Sequence, residues 1–137
     1  MKKRYLAIVA GVLALSFALV STALAGDGIR LEAGLSGGGA EGKGTWRLLD
    51  DGAARISVEV ADLQLAGLMA GDQMSVSACG ASIGTITLVE VLPGMIGGDL
   101  NLDARLGDMV VTCHAGDVVT VSGTAVTLSG SFDQSVR

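Results

Sequence analysis

The chain has 137 residues with nine Lys and Arg against 14 Asp and Glu, long enough for one domain and too short for two. That acidic balance argues against nucleic acid or an anionic membrane as partner, because phosphates are met by clustered Lys and Arg. With two Phe, one Trp and one Tyr, any core must be built of Val, Ile, Leu and Met.

Lys2, Lys3 and Arg4 precede an apolar run from Leu6 to Val20, and Ala23-Leu24-Ala25 supplies the small-x-small pattern that signal peptidase reads. The pattern predicts a signal peptide over residues 1–25 and a single mature domain over 26–137, starting at Gly26. The apolar run is 15 residues long, short of the ~20 needed to span a bilayer. No cysteine lies near the cleavage site to take a lipid. The expectation is export without membrane insertion, to the periplasm, the cell surface or the medium. Cleavage removes three of the nine cations and no anion, leaving six against 14 and a net charge of −8.

In the mature chain, Ile29 to Ser36 alternates Ile29, Leu31, Ala33 and Leu35 with small or charged residues, the period of a half-buried strand. Gly37-Gly38-Gly39 stops it. Gly42 to Leu49 sets Trp46 and Leu48 against Thr45 and Arg47, Asp50-Asp51-Gly52 turns the chain, and Ala54 to Val60 completes a hairpin with Ile56, Val58 and Val60 inward. Asp62 to Gly71 allows one helical turn, with Leu65, Leu68 and Met69 on a face, although two glycines work against it. Gln73 to Ala78 and Ser82 to Val91 read as the next strands. Pro93-Gly94 forms a turn, and Asp99 to Ala104 points Leu100 and Leu102 away from Asp99, Asn101 and Asp103. Met109 to Cys113, Val118 to Ser122 and Ala125 to Phe132 complete about eight short strands. Turn signals every 8 to 12 residues predict an all-β antiparallel sandwich or partly open barrel.

The stretch from Ala70 to Leu88 returns in looser form at Ala115 to Leu128. Both begin Ala-Gly-Asp, pass through Val-Ser and reach Gly-Thr followed by Thr-Leu, so pseudo-repeated hairpins are expected. Cys79 lies in the first copy and Cys113 just before the second. Two cysteines in an exported chain predict one disulfide, Cys79–Cys113, which by loop entropy stabilises by about 4 kcal/mol. The mature chain holds 20 of the 21 glycines, each with unusual freedom to lose on folding, and they make that contribution matter.

Gly80-Ala81-Ser82-Ile83-Gly84 matches the nucleophile-elbow pattern, and Ser82, then Asp99 or Asp108, then His114 follow the chain order of an α/β-hydrolase triad. The elbow must join a strand to a helix, whereas Thr85 to Val91 reads as strand, so Gly80 and Gly84 are expected at a turn or bulge. Asp99-Leu-Asn101-Leu-Asp103 begins like a calcium loop but lacks Gly at its sixth and Glu at its twelfth position, where Ala104 and Val110 stand. On a strand these side chains share a face, open to solvent or, with Asp108, to a cation. His114 reads as a turn residue and lacks the partners zinc needs. Trp46 with Arg47 marks either a binding face or simply the largest core residue.

Leu35-Ser36-Gly37, Gly42 to Leu49, Asp51-Gly52 and Val58 to Leu63 resemble the opening of CHRD-type domains, secreted β-modules. The chain is also similar to short exported bacterial β-proteins ending in Gly-Asp-Val-Val and Leu-Ser-Gly-Ser-Phe, here Gly116 to Val119 and Leu128 to Phe132. The His-x-His stretch typical of CHRD domains is missing, so no functional residue transfers. The resemblance implies an extracellular β-domain without known catalysis. The sequence thus predicts a non-enzymatic structural or interaction module without a cofactor, its partner a surface protein or another copy of itself. Binding of a cation or small ligand along the Asp99–Asp108 edge is the alternative, and a small hydrolase built on Ser82 the third reading.

Overall fold

The computed structural model describes residues 28–134; the expected leader and its cleavage site lie outside the described residues. Alternation governs the first three strands. β1 (Ile29–Gly37), β2 (Ala40–Leu48) and β3 (Ala54–Ala61) bury Leu31, Leu35, Trp46, Ile56, Val58 and Val60 on one face and turn their polar residues outward. Gly38 and Gly39 join β1 to β2 at φ of 60° and 87°, the left-handed pair that lets a two-residue hairpin follow the strand twist.

After β3, Leu63–Ala66 makes a short 3₁₀ turn that ends at Gly67. It buries Leu63, followed by Leu68, and leaves Leu65 and Met69 exposed. The expected face of Leu65, Leu68 and Met69 does not form, because the chain leaves helical geometry before that spacing can close.

β4 (Gln73–Ala78) and β5 (Ala81–Thr87) form a hairpin around Cys79-Gly80, both at positive φ. β6 (Val89–Leu92) and β7 (Met95–Asp103) form the next around Pro93-Gly94. β8 (Val118–Ser122), β9 (Thr127–Ser131) and the two-residue β10 (Asp133–Gln134) complete ten strands among the described residues. They make one antiparallel sheet in the order β5-β4-β8-β9-β1-β2-β3-β7-β6, with β10 added to β1, curled into a nearly closed barrel.

The two ends of that order, β5 and β6, are consecutive in the chain. The expected single strand Ser82 to Val91 is divided at Leu88, because its first half pairs with β4 and its second with β7. Leu88 is buried, donates its N–H to the Asp72 carbonyl and accepts from Gly71 N–H, both at 2.8 Å. β7 crosses this seam so closely that a Cβ on Gly98 would stand 2.6 Å from Ile86 Cγ2.

The expected strand Met109 to Cys113 is absent. β7 and β8, on either side of it in the chain, already have both edges occupied, so its strand-like residues find no ladder to join. Two other ties hold this segment. The buried Trp46 donates its Nε1–H to the Val111 carbonyl at 2.9 Å. Cys113 is bonded to Cys79 across 34 residues, with Cα atoms 5.4 Å apart. Trp46 is thus a core residue whose one polar atom anchors a loop. The bridge fits an oxidising compartment, and no helix among the described residues is long and apolar enough to cross a membrane.

Both repeated stretches form hairpins, although Gly84-Thr85 lies within β5 and Gly123-Thr124 in the loop after β8. Val76 pairs with Val121, flanked by Ser75 with Ser122 and Ser77 with Thr120, so β4 and β8 meet about a local two-fold axis. The Ala-Gly-Asp turns agree in detail. Asp72 accepts the Met69 N–H at 2.9 Å, and Asp117 accepts the His114 N–H at 2.8 Å. Gly71 donates to Leu88 and Gly116 to Phe132, each at 2.8 Å.

Two stability measurements check this arrangement. Replacing both Cys79 and Cys113 with Ala should lower the urea-unfolding free energy by about 4 kcal/mol; a loss below ~1 kcal/mol would show that the bridge constrains little. Gly98→Ala should cost about 1–3 kcal/mol through overpacking at the seam. Gly34→Ala, whose added Cβ meets nothing within 4 Å, should be neutral or slightly stabilising.

Candidate functional site

The same alternation that fills the barrel sends every second residue of β1, β2, β3 and β7 to its outer surface, and the hairpin registers align them in rows. Arg30, Arg47, Arg55 and Asp103 form one row across the four strands. Glu32, Thr45, Ser57 and Asn101 form the next, and Gly34, Lys43, Glu59 and Asp99 a third. Every Lys and Arg among the described residues lies on this face or, like Arg105, beside it. Arg30, Arg47, Arg55, Ser57, Asn101 and Leu106 help to line a shallow depression of about 380 Å³ there.

Like charges opposed across neighbouring strands repel, on the order of 0.5 kcal/mol per pair. The row is held by carboxylates at its ends. Glu32 lies 2.9 Å from Arg30 Nε and 4.0 Å from Lys43 Nζ. Asp103 lies 3.3 Å from Arg55 Nε and 3.8 Å from Arg105 Nε. Four cations therefore share two carboxylates.

The acidic residues singled out in the sequence are drawn into this arrangement. Asp99, Asn101 and Asp103 do share a strand face. Asn101 donates its amide to Asp99 and accepts the Ser57 hydroxyl at 2.6 Å. Asp103 also accepts the Arg105 backbone N–H at 2.9 Å, starting a 3₁₀ turn over Ala104–Leu106. Asp108 accepts the Asp103 N–H at 2.9 Å. Among the described residues no group of three or more His, Cys, Asp and Glu is placed to hold a metal ion. A cation at this edge would compete with the guanidiniums already on Asp103.

Gly80-Ala81-Ser82-Ile83-Gly84 runs through a two-residue turn into β5, where Ser82 pairs with Ser77 and Gly84 stands beside a register shift. It is followed by strand rather than helix. The His114 ring is largely exposed and faces Asp117, with 3.7 Å between Nδ1 and Oδ2, rather than Asp99 or Asp108. Trp46 and Arg47, adjacent in sequence, part company: the indole is buried in the barrel and Arg47 joins the outer row. Sequence reasoning missed Arg30 and Arg55 as members of a common row. The signal lay in the turns, since Gly38-Gly39 at the tip of the first hairpin sets Arg30 opposite Arg47.

No family model, curated protein or solved structure matches this chain.

Because Asp103 serves two arginines and caps a turn while only 17% of its side chain is exposed, Asp103→Asn should lower stability by about 1–2 kcal/mol. Asp99→Asn should cost less than ~0.5 kcal/mol, as expected for an exposed site. Urea-unfolding midpoints compare the two, and equal losses would contradict the role given to Asp103.

Proposed function

We propose that this chain is an exported, non-enzymatic interaction module whose contact surface is the outer face of β1, β2, β3 and β7. The observation that supports it is the gathering of Arg30, Lys43, Arg47, Arg55 and Arg105 at one face of an otherwise acidic chain. Solubility alone calls for charges of both signs dispersed over the surface, whereas the five cations among the described residues all lie at this face, interleaved with Glu32, Glu59, Asp99 and Asp103. The barrel interior is filled by side chains such as Ile56, Met74, Ile86, Leu128 and Phe132, so a ligand is better met outside. The leader pattern and the CHRD-like opening favour an extracellular role, with a component of the producing cell's own surface, or a second copy, as partner. Small-ligand binding along the Asp99–Asp108 edge becomes part of the same reading, because Asp99, Asn101 and Asp103 belong to this face. Hydrolysis is disfavoured by the hairpin setting of Ser82.

Labelled, oxidised protein added to cells of its own source lacking the gene tests this reading. The wild type should stay on the cells, and R30Q/R55Q, folded by its cooperative urea transition, should wash off. Equal retention of the variant, or a monomeric wild type that does not bind, would defeat the proposal. Ester hydrolysis at background rates in both wild type and Ser82→Ala is expected; a turnover lost in the mutant would make the protein an enzyme.

A further inference from the structure

We propose that the Arg105–Leu106 peptide bond is the site at which an endopeptidase that cuts after arginine converts this protein into a two-chain form, held together by the Cys79–Cys113 bridge. Every other Lys and Arg among the described residues lies inside a strand: Arg30 in β1, Lys43 and Arg47 in β2, Arg55 in β3. Those strands have a neighbour on both sides. Their backbone enters a protease cleft only after ladder hydrogen bonds break, an opening that draws on the stability of the whole barrel. Arg105 alone stands in a connection, residues 104–117 between β7 and β8.

The chain is accessible where the cut would fall, as at the exposed loops where proteins are most readily nicked. Ala104, Arg105, Leu106 and Gly107 are all exposed, Leu106 by 79%. The 3₁₀ turn they form is held by short-range bonds: Arg105 N–H to Asp103 Oδ1 at 2.9 Å, Gly107 N–H to the Ala104 carbonyl at 3.1 Å and Asp108 N–H to the Asp103 carbonyl at 3.2 Å. Opening this turn breaks no bond between strands. The Arg105 guanidinium, half exposed and 3.8 Å from Asp103, can leave that carboxylate because Arg55 remains beside it at 3.3 Å. Specificity for arginine makes the cut single. Leu65, Met69, Leu106 and Met109 are all exposed, so a protease that cuts after large apolar residues would find several bonds.

The bridge decides what the product is. Hydrolysis places the hydroxyl of water on the Arg105 carbonyl carbon and its hydrogen on the Leu106 nitrogen, leaving a carboxylate and an amine. The piece that begins at Leu106 carries β8, β9 and β10, and β8 and β9 lie in the middle of the sheet between β4 and β1. Its Val119, Val121, Leu128 and Phe132 are fully buried, so the barrel holds it by the same ladders and core as before. Cys79 lies on one piece and Cys113 on the other. The two therefore remain one molecule, and their association does not depend on concentration. Leu106 and Asp108 help to line the outer depression, so the cut falls at its rim.

Brief trypsin digestion of the oxidised mature protein tests the proposal. Mass spectrometry should find Leu106 as the only new amino terminus at the first cut. The product should run as one species on a denaturing gel without reductant and as two with it, and should keep a cooperative urea transition. R105Q, folded by that same transition, should stay intact about tenfold longer or more, and R105K should restore the cut. A first cut at Arg30, Lys43, Arg47 or Arg55, R105Q cut as fast as wild type, resistance of R105K, or a nicked product without a cooperative transition would each overturn it.

Discussion

A curved sheet is stable in isolation only when the backbone groups along its two edges find partners or are covered, and in this protein one segment serves both ends. Residues 81–92 pair with β4 before Leu88 and with β7 after it. Leu88 is the hinge of that exchange, buried and tied to the Gly71–Asp72 turn on both sides of its peptide group. Much else follows from closing the barrel there. Gly84 and Gly98 are needed where β5 and β7 approach, since a Cβ on Gly84 would stand 3.0 Å from Leu100 Cδ2. β6 then projects as a short edge strand whose Val89, Val91 and Leu92 stay exposed, with Pro93 and Glu90 at its tip to discourage further pairing.

Closure also determines which surface carries charge. With the aliphatic residues committed to the interior, the alternate positions of β1, β2, β3 and β7 face water, and their identities become free to serve another end. Three arginines side by side cost some repulsion, which the carboxylates of Glu32 and Asp103 offset at Arg30 and Arg55. These arginines sit beside two carboxylates that each serve two cations, so the face is knit together by shared ion pairs.

The strands themselves were legible because period-two alternation survives in nearly all of them, from Leu31, Ala33 and Leu35 to Val126, Leu128 and Phe132. The disulfide followed from cysteine number and the expectation of export. Neighbour relations were only half legible. A two-residue turn fixes the register within a hairpin, so Arg30 opposite Arg47 could be read locally. The arrival of Asp103 next to Arg55 depends on β3 pairing with β7, a contact across more than 40 residues that no local pattern encodes. Met109 to Cys113 failed for the converse reason: its run of β-branched and apolar residues is strand-like, but a strand exists only where an edge is open to receive it. Leu88 looked like the middle of a strand because the residues around it are strand-like on both sides, and only the change of partner makes it a bend.

The hairpins β4–β5 and β8–β9 share the bonds of their Ala-Gly-Asp corners and meet across a near-symmetric pair of strands, but part at their tips, a two-residue turn beside a register shift in one and a four-residue loop in the other. Two similar pieces leave a folding chain two arrangements of the pair to tell apart. The cysteines remove the ambiguity. Cys79 stands at the tip of one hairpin and has no counterpart at the tip of the other, where Gly123 to Val126 close the loop. The covalent bond to Cys113 therefore gives the pair a left and a right.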